Sequence, residues 1–227
     1  GFAWSPNSQK IAFYRMDQTN IPDYYMANLV PVYSELHTMK YPKAGQPNSH
    51  VKIGIVDIES KNTVWVNQEA GPDSYIPRIK WSRAADKLAL TFLNRDQNHL
   101  QILFADSQTG ITLKVLDEKV ENGWLKPRRD IHFLRGKNEF VWLSEQDGFN
   151  HLYLYDYGGK LKKQLTKGKW DVRKLIRLTD KKVFFTTSEK REETQLFSVN
   201  LNGKSQKQIT SGSGSHASRG PGTPRWR

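Results

Sequence analysis

The residues whose types could support hydrolysis or metal chemistry are scattered along this sequence. A nucleophile elbow has the pattern Gly-x-Ser-x-Gly between a strand and a helix, but the most similar phrase, Ser211-Gly212-Ser213-Gly214-Ser215, has a different spacing and no helical pattern after it. The chain has no cysteine, which excludes disulfides, thiolate metal sites and a cysteine nucleophile. The six histidines form no close pair and no His-Glu-x-x-His motif, so a catalytic zinc site is not expected. They are His37, His50, His99, His132, His151 and His216.

Two acidic stretches have less specific patterns. Asp147-Gly148 with Asn150 is similar to part of a calcium loop. Because the further acidic ligands of a cage of about six to eight oxygens are missing, a hairpin turn is the preferred interpretation. Glu189, Glu192 and Glu193 could form a carboxylate pair, but the basic residues between them indicate a solvated, charged loop. No glycine-rich loop opens a helix where it could cradle phosphate, and we expect no metal and no cofactor.

A third stretch combines an aromatic residue with basic residues, Trp124-Leu125-Lys126-Pro127-Arg128-Arg129. Exposed aromatic and basic side chains of this kind can stack on a base or hold a carboxylate. The alternative interpretation is a connector between two structural repeats.

The net charge of +12 comes from the second half of the chain. Residues 1–118 contain 12 Lys and Arg against 12 Asp and Glu, whereas residues 119–227 contain 23 against 11. Such an excess could form a surface for nucleic acid or another anionic partner. However, the basic residues lie in turns such as Gly158-Gly159-Lys160, which is typical of a solvated face on β-hairpins. We therefore expect no nucleic-acid partner.

The elements that must position these residues are strands. Apolar positions at helical spacing, flanked by capping signals, are nearly absent. Instead, short runs rich in Val, Ile, Leu, Phe, Tyr and Trp recur, each bounded by turn-forming residues. These runs are much shorter than the roughly 18 apolar residues of a membrane span. The hydrophobic fraction of 37% is sufficient for a packed core, so the sequence predicts a globular, all-β protein.

The predicted strands form groups of four that repeat along the chain. Two groups, at residues of about 129–170 and 172–212, end in the same phrase 44 residues apart, Gln164-Leu165-Thr166-Lys167-Gly168 and Gln208-Ile209-Thr210-Ser211-Gly212. Two earlier groups lie at about 76–118 and 1–68, the latter with an insertion over 17–50 that has strand character at about 24–29 and 36–41. Residues 217–227 have no strand pattern and are predicted to be a disordered tail or an extension foreign to the fold.

A period of about 40 to 50 residues with four strands in each unit is typical of a β-propeller, whose blades are four-stranded antiparallel sheets. A β-sandwich or a barrel is the alternative, but neither predicts that every fourth strand ends in the same phrase. The sequence therefore predicts a partial β-propeller of about four blades. Because closed rings contain about four to eight blades, this could be a small ring or an arc of a larger one.

Several phrases of the sequence are specific in combination. Phe2-Ala3-Trp4-Ser5-Pro6-Asn7-Ser8 begins the first group, and Tyr41-Pro42-Lys43-Ala44-Gly45 is followed by Asn48. Later phrases follow in order at Gly123-Trp124 and at residues 144–153 and 165–172. Together, over about residues 1–212, they resemble the N-terminal propeller domain of the dipeptidyl peptidase IV branch of the prolyl oligopeptidase-type serine peptidases.

The resemblance implies an eight-bladed propeller that caps an α/β-hydrolase domain in the intact parent protein. That parent would be a serine peptidase releasing dipeptides with Pro or Ala in second position from peptide N termini. In the family, the catalytic triad lies in the hydrolase domain, and a glutamate pair that binds the substrate's ammonium group precedes the Trp-Ser-Pro phrase. Both are expected outside residues 1–227, so this chain alone is predicted to be inactive. The propeller would restrict access to the cavity and supply charge-assisted hydrogen bonds to the ammonium group.

Within this chain the resemblance implies one substrate-binding segment. Relatives place an aromatic residue and an arginine near the substrate in the loop that follows the Gly123-Trp124 phrase. The loop is shorter here and offers Trp124, Lys126 and Arg128, which are the predicted substrate-binding residues. No catalytic residue and no metal ligand is predicted.

The resemblance also predicts partners and a location. Three partners are expected. The intact parent would bind peptide substrates, the propeller would contact the α/β-hydrolase domain of the same polypeptide, and two parent molecules could form a homodimer. Animal members of the family carry several cysteines in this region, whereas this chain has none, which favours a bacterial protein that is periplasmic or secreted. The alternative function is a self-standing propeller that binds a protein or an anionic partner.

Overall fold

The computed structural model describes residues 1–67, 73–127, 131–187 and 193–216. All regular secondary structure in these ranges is β-strand, which confirms the predicted all-β class. Helices are absent from the described part of the chain, and so none there is long and apolar enough to cross a membrane. Residues 217–227, the predicted tail, lie outside the described residues. By its contacts the chain divides into two compact units, Gly1–Trp81 with Ala85–Pro127, and Ser82–Ala84 with Arg128–Arg227.

The first unit contains two four-stranded antiparallel sheets and a two-stranded hairpin, with strand orders β1-β2-β5-β6, β10-β9-β8-β7 and β3-β4. The strands are β1 (Phe2–Trp4), β2 (Lys10–Asp17), β3 (Asp23–Asn28), β4 (Glu35–Lys40), β5 (His50–Asp57), β6 (Thr63–Trp65), β7 (Tyr75–Trp81), β8 (Lys87–Leu93), β9 (His99–Asp106) and β10 (Thr112–Lys119).

The core of the first unit lies between its two four-stranded sheets. Ile53 and Ile55 flank the buried Gly54 on β5, and they pack against Leu88 and Leu90 of the second sheet. All four side chains are at most 1% exposed, and burial of an aliphatic side chain of this size stabilises the fold by about 1.5–3 kcal/mol. Trp81 at the end of β7 donates a hydrogen bond from Nε1 to the carbonyl oxygen of Ala3 at 3.0 Å, which fixes the first strand against the second sheet.

The insertion between β2 and β5 forms the β3–β4 hairpin. Its register runs from Asp23 opposite Lys40 to Asn28 opposite Glu35, so the strand character expected near residues 24–29 and 36–41 is confirmed. At its base the Tyr24 and Tyr41 rings lie 5.4 Å apart between centroids. Most of its apolar side chains are exposed to solvent.

The second unit contains two four-stranded antiparallel sheets, with strand orders β11-β12-β13-β14 and β15-β16-β17-β18. The strands are β11 (His132–Phe133), β12 (Glu139–Ser144), β13 (His151–Asp156), β14 (Leu161–Gln164), β15 (Val172–Leu178), β16 (Lys182–Thr187), β17 (Gln195–Asn200) and β18 (Lys207–Gln208). Side chains of both sheets form one core, in which Val141 and Leu152 meet Val183 and Phe185.

The two sheets of the second unit close in the same way, 44 residues apart. The amide of Leu152 donates to Thr166 Oγ1 at 3.0 Å, and the amide of Leu196 donates to Thr210 Oγ1 at the same distance. Each threonine hydroxyl therefore replaces a backbone partner at the point where the outermost strand leaves the sheet. The repeated Gln-hydrophobic-Thr-x-Gly phrase thus has a structural role, because its threonine caps the end of the outermost strand of each sheet.

The turn after the third strand of a sheet is built on a carboxylate in three of the four sheets. Asp57, Asp106 and Asp156 each end that strand and accept hydrogen bonds from backbone amides two or three residues later, at 2.9–3.0 Å. Asp106 also pairs with Lys87 Nζ at 2.7 Å, and this contact is the main reason why its pKa lies below the ordinary range. Aspartate is favoured at such positions because its short side chain can bond to its own turn.

Candidate functional site

The segment that carries the predicted substrate-binding residues is a loop fixed at both ends. The amide of Val120 donates to the carbonyl oxygen of Asn98 at 2.9 Å, and the amide of Leu125 donates to that of Gln97 at 2.7 Å. The Leu125 side chain is only 9% exposed. Between these anchors Gly123 has a φ of +147°, which side-chain-bearing residues rarely adopt. The loop is therefore held against the turn between β8 and β9.

This anchored loop presents two of the predicted residues to solvent. Trp124 is 78% exposed, and Lys126 is also exposed on the other side of the buried Leu125. Arg128 lies outside the described residues. An indole and an ammonium group are thus both exposed within three consecutive residues of the chain. Their role in binding substrate stays a prediction.

The chemistry that this loop can perform is recognition. An exposed indole can cover an apolar side chain or stack on a ring, and an ammonium group can pair with a carboxylate or bond to a carbonyl oxygen. Neither group at this place is a nucleophile paired with a base. The loop therefore offers binding groups and no nucleophile–base pair.

The histidines do not assemble a metal or catalytic centre in the described ranges, where no group of three or more His, Asp or Glu could hold a metal ion. Both ring nitrogens of the fully buried His151 are occupied, Nδ1 by Thr166 Oγ1 and Nε2 by the carbonyl oxygen of Gly168, each at 3.0 Å. The edge of this ring meets Trp170 at a centroid distance of 5.0 Å. His151 is therefore part of the sheet closure.

The acidic stretches also have structural partners. The amide of Gly148 donates to the carbonyl oxygen of Glu145 at 2.8 Å and Gly148 has a φ of +92°, so Asp147-Gly148 forms the hairpin turn that the sequence predicts. Glu193 accepts a hydrogen bond from the amide of Gly214 at 2.9 Å. Glu189 and Glu192 lie outside the described residues.

One polar cluster on the second sheet has perturbed electrostatics. Burial alone would raise the pKa of Asp117, but hydrogen bonds from Lys114, His99 and Gln101 lower it to about 2. The contacts measure 2.6 Å to Lys114 Nζ, 2.5 Å to His99 Nε2 and 3.2 Å to Gln101 Nε2. Asp117 thus stays ionised down to low pH and ties β9 to β10.

A cavity of about 410 Å³ in the first unit was not predicted from the sequence. Tyr14, Asn48 and Tyr75 are among its lining residues, which come from β2, from the segment before β5 and from β7. Burial raises the pKa of Tyr14 to about 12, although the nearby Arg78 opposes this shift. The only sequence signal at this site was the proline content of the lining segments, and spacing alone could not show that these segments converge.

The fold defines a class of protein. Four-stranded antiparallel sheets that follow one another along the chain are the blades of β-propellers. The sequence profile described as the dipeptidyl peptidase IV (DPP IV) N-terminal region matches residues 1–220. The chain therefore belongs to this family, as the sequence phrases predicted.

Similar proteins agree with this assignment. Dipeptidyl peptidase 4 of Trichophyton rubrum is 27% identical over 216 residues, which are 88% of this chain and 28% of the relative. Dipeptidyl peptidase 4 of Arthroderma otae is 26% identical over 216 residues, again 88% of this chain and 28% of the relative. The crystal structure of Porphyromonas gingivalis dipeptidyl peptidase 4 is similar with a TM-score of 0.82 and 29% identity, and the match covers 94% of this chain and 31% of that one. The chain thus spans less than a third of the length of these proteins.

Proposed function

We propose that this chain is the non-catalytic propeller part of a DPP IV-like serine exopeptidase. The parent cleaves Xaa-Pro or Xaa-Ala dipeptides from peptide N termini, and the propeller gates access and helps to form the substrate pocket. The observation that carries this proposal is the family match over residues 1–220 of a chain built as successive four-stranded sheets. The relatives' shared name, dipeptidyl peptidase 4, supports the reaction class.

The anchored loop supports a contribution to the substrate pocket. Because its ends are fixed by backbone hydrogen bonds and by Leu125, binding of a peptide to Trp124 and Lys126 requires little ordering of the loop. In the parent, Trp124 covers an apolar residue of the peptide and Lys126 bonds to a carbonyl oxygen or a carboxylate. Arg128 extends the same segment.

The proposal is tested on the intact parent with Gly-Pro-p-nitroanilide and with longer peptides that begin Gly-Pro. Trp124→Ala and Lys126→Ala are expected to raise KM for the longer peptides about three- to tenfold with little change in kcat, because they remove contacts made equally in ground state and transition state. Lys52→Ala, which changes an exposed lysine on β5, is the matched control and is expected to leave KM unchanged. A parent that does not release Gly-Pro from either substrate would refute the proposed reaction.

A second candidate function is a binding module for a protein or an anionic partner. The observation that favours it is the group of exposed basic side chains on β15, Arg173, Lys174 and Arg177. Binding to an anionic partner releases counterions and so weakens steeply as salt rises. Salt-dependent retention of the chain on a heparin column supports this alternative, and elution in the void at low salt removes it.

The partners and the location of the parent are part of the same proposal. Its hydrolase domain and its peptide substrates are the expected partners, and the protein is expected in the periplasm or outside a bacterial cell. A homodimer of the parent is supported by the exposed apolar side chains of the β3–β4 hairpin, since a two-stranded hairpin is only marginally stable without cover. Sedimentation of the parent at micromolar concentration measures this: a dimer supports the proposal and a monomer contradicts it.

A further inference from the structure

Five of the thirteen residues that line the cavity of the first unit carry rings. Two tyrosines, Tyr14 and Tyr75, and three prolines, Pro42, Pro77 and Pro127, line its sides, while Leu93 is only 3% exposed. The volume of about 410 Å³ lies in the lower part of the range of ligand sites, about 300–1,000 Å³. Grooves lined by aromatic rings are sites on which proline-rich segments dock.

Three of the lining side chains, Asn48, Tyr14 and Ser49, bring hydrogen-bond donors to the cavity. Asn48 Nδ2 is buried and has no hydrogen-bond partner among the described residues. The Tyr14 hydroxyl is protonated at physiological pH like any tyrosine, and burial raises its pKa further, to about 12. Ser49 Oγ already accepts a contact from Gln18 Nε2 at 3.4 Å, so its proton is left to be donated.

The charges around the cavity favour a ligand that accepts hydrogen bonds. No acidic side chain lines the cavity within the described residues, and the charge that acts on Tyr14 is the Arg78 guanidinium group. Arg78 Nε is fixed on the carbonyl oxygen of the lining residue Pro127 at 2.9 Å. The site therefore complements carbonyl oxygens and disfavours ammonium groups.

A proline-rich backbone has the matching chemistry. Proline lacks the backbone N–H, so such a segment presents carbonyl acceptors without donors, and its polyproline II conformation is already ordered before binding. We propose that this cavity is a second, non-catalytic peptide-binding site, which takes a proline-rich segment with its rings against Tyr14 and Tyr75 and a carbonyl oxygen on Asn48 Nδ2. This goes beyond the proposed exopeptidase function, because it concerns the interior of a longer peptide and needs no catalysis.

The experiment is direct binding to the full 227-residue chain. The probe is an amidated hexaproline peptide with an N-terminal fluorescein, and its anisotropy is followed during titration with the protein. A fluorescein-labelled peptide of alternating Gly and Ser, of the same length, is the control probe. Saturable binding of hexaproline with no saturable binding of the control supports the site, whereas equal binding of both peptides, or none, overturns it.

Variants localise the binding. Asn48→Ala is expected to weaken binding about fivefold, the effect of one hydrogen bond. Met16→Arg is expected to weaken it more than about tenfold, since Met16 lines the cavity and is 58% exposed, so that arginine is tolerated by the fold while its side chain obstructs the opening. Tyr33→Ala, at a tyrosine 86% exposed on the hairpin, is the matched control and leaves binding unchanged. Wild-type affinity in a folded Met16→Arg variant overturns the proposal, even if Asn48→Ala fails to fold.

Discussion

His151 and Gln195 show how two residue types can build the same closure. His151 uses Thr166 Oγ1 and the carbonyl oxygen of Gly168, whereas Gln195 accepts from Thr210 Oγ1 at 2.5 Å. Gln195 Nε2 donates to the carbonyl oxygen of Gly212, the counterpart of Gly168, at 3.4 Å and to that of Gly214 at 2.9 Å. A neutral imidazole and a side-chain amide each offer one acceptor and at least one donor. The hydrogen-bond pattern is therefore conserved between the two sheets although the side chain is not.

Exchanging these residue types tests that equivalence. His151→Gln is expected to lower the free energy of unfolding by at most about 1 kcal/mol, because glutamine can make the same contacts. His151→Leu is expected to lower it by about 1–3 kcal/mol, since it leaves the buried Thr166 hydroxyl without an acceptor for its proton and removes the donor to the Gly168 carbonyl oxygen. Urea unfolding followed by circular dichroism measures both, with His37→Leu on the exposed hairpin as control. Equal losses for the glutamine and leucine variants would contradict the equivalence.

The Asp117 cluster predicts a pH dependence. Its pKa in the folded state is about 2, below the value of about 3.9 in an unfolded chain. A lowered folded-state pKa contributes stability that is fully present above the unfolded pKa and is lost as pH falls through the folded one.

We therefore expect Asp117→Asn to be less stable than the wild-type chain at pH 6, by less than about 1 kcal/mol because solvent screens this partly exposed group. The difference should shrink as pH falls from about 4 to about 2. Thermal unfolding between pH 6 and pH 2.5 measures this difference in stability. Asp180→Asn is the control, because it removes an exposed carboxylate that lies outside the cluster. A difference that stays constant over this range is inconsistent with the assigned contacts.

At the scale of elements, the turn between β9 and β10 is fitted closely to β6. Gly110 in this turn has a φ of +74°, and a Cβ atom there would lie 2.3 Å from the carbonyl oxygen of Trp65. The amide of Asn67 donates to the carbonyl oxygen of Gly110 at 2.9 Å. This glycine therefore permits both the turn and the approach of one sheet of the first unit to the other.

Gly110→Ala is expected to destabilise the chain by about 3 kcal/mol or more, because left-handed strain and a backbone clash add together. Gly136→Ala is the matched control, since Gly136 has a φ of +65° but no atom within 4 Å of the added Cβ. Its expected cost is about 1 kcal/mol, from the backbone conformation alone. The two variants are compared by urea unfolding, and similar costs would show that Gly110 matters only for its backbone angle.

Inner strands were easier to predict than outer ones, for a physical reason. β8 and β12 are almost fully buried and give clear apolar runs, whereas β14 and β18 are short and mostly exposed. Just beyond β14 and β18 a threonine hydroxyl takes over from the backbone ladder, which an apolar pattern cannot show. β7 begins at Tyr75, near the start of the group expected from about residue 76, and a bulge in it accommodates Pro77, which has no N–H to donate.

The candidate sites were predictable only where a continuous segment carries them. The loop with Trp124 and Lys126 was identified from adjacent residues in the sequence. The cavity depends on Pro42, Pro77 and Pro127, which are far apart in sequence and meet through tertiary packing. Such convergence is set by which sheets pack together, and residue types alone do not determine it.

At the scale of the whole molecule, the chain corresponds to one region of longer relatives. It matches the N-terminal region of dipeptidyl peptidase IV over residues 1–220 and spans less than a third of its relatives. We propose that its exposed loop contributes to peptide binding, whereas its buried polar groups close sheets and turns. Under the proposed function, a separate hydrolase domain supplies the nucleophile and its base.

The proposal that this chain is non-catalytic is tested most directly by measuring hydrolysis of Gly-Pro-p-nitroanilide by the purified 227-residue chain. The intact parent is measured beside it at equal concentration. We expect the parent to release p-nitroaniline, and a serine-directed phosphonate to abolish this release. For the chain alone we expect the same rate of hydrolysis as in buffer without protein. The contradicting result is hydrolysis by the purified chain, with an activity that co-elutes with the chain and is also found in its Trp124→Ala variant. Such activity would mean that residues 1–227 contain a catalytic centre.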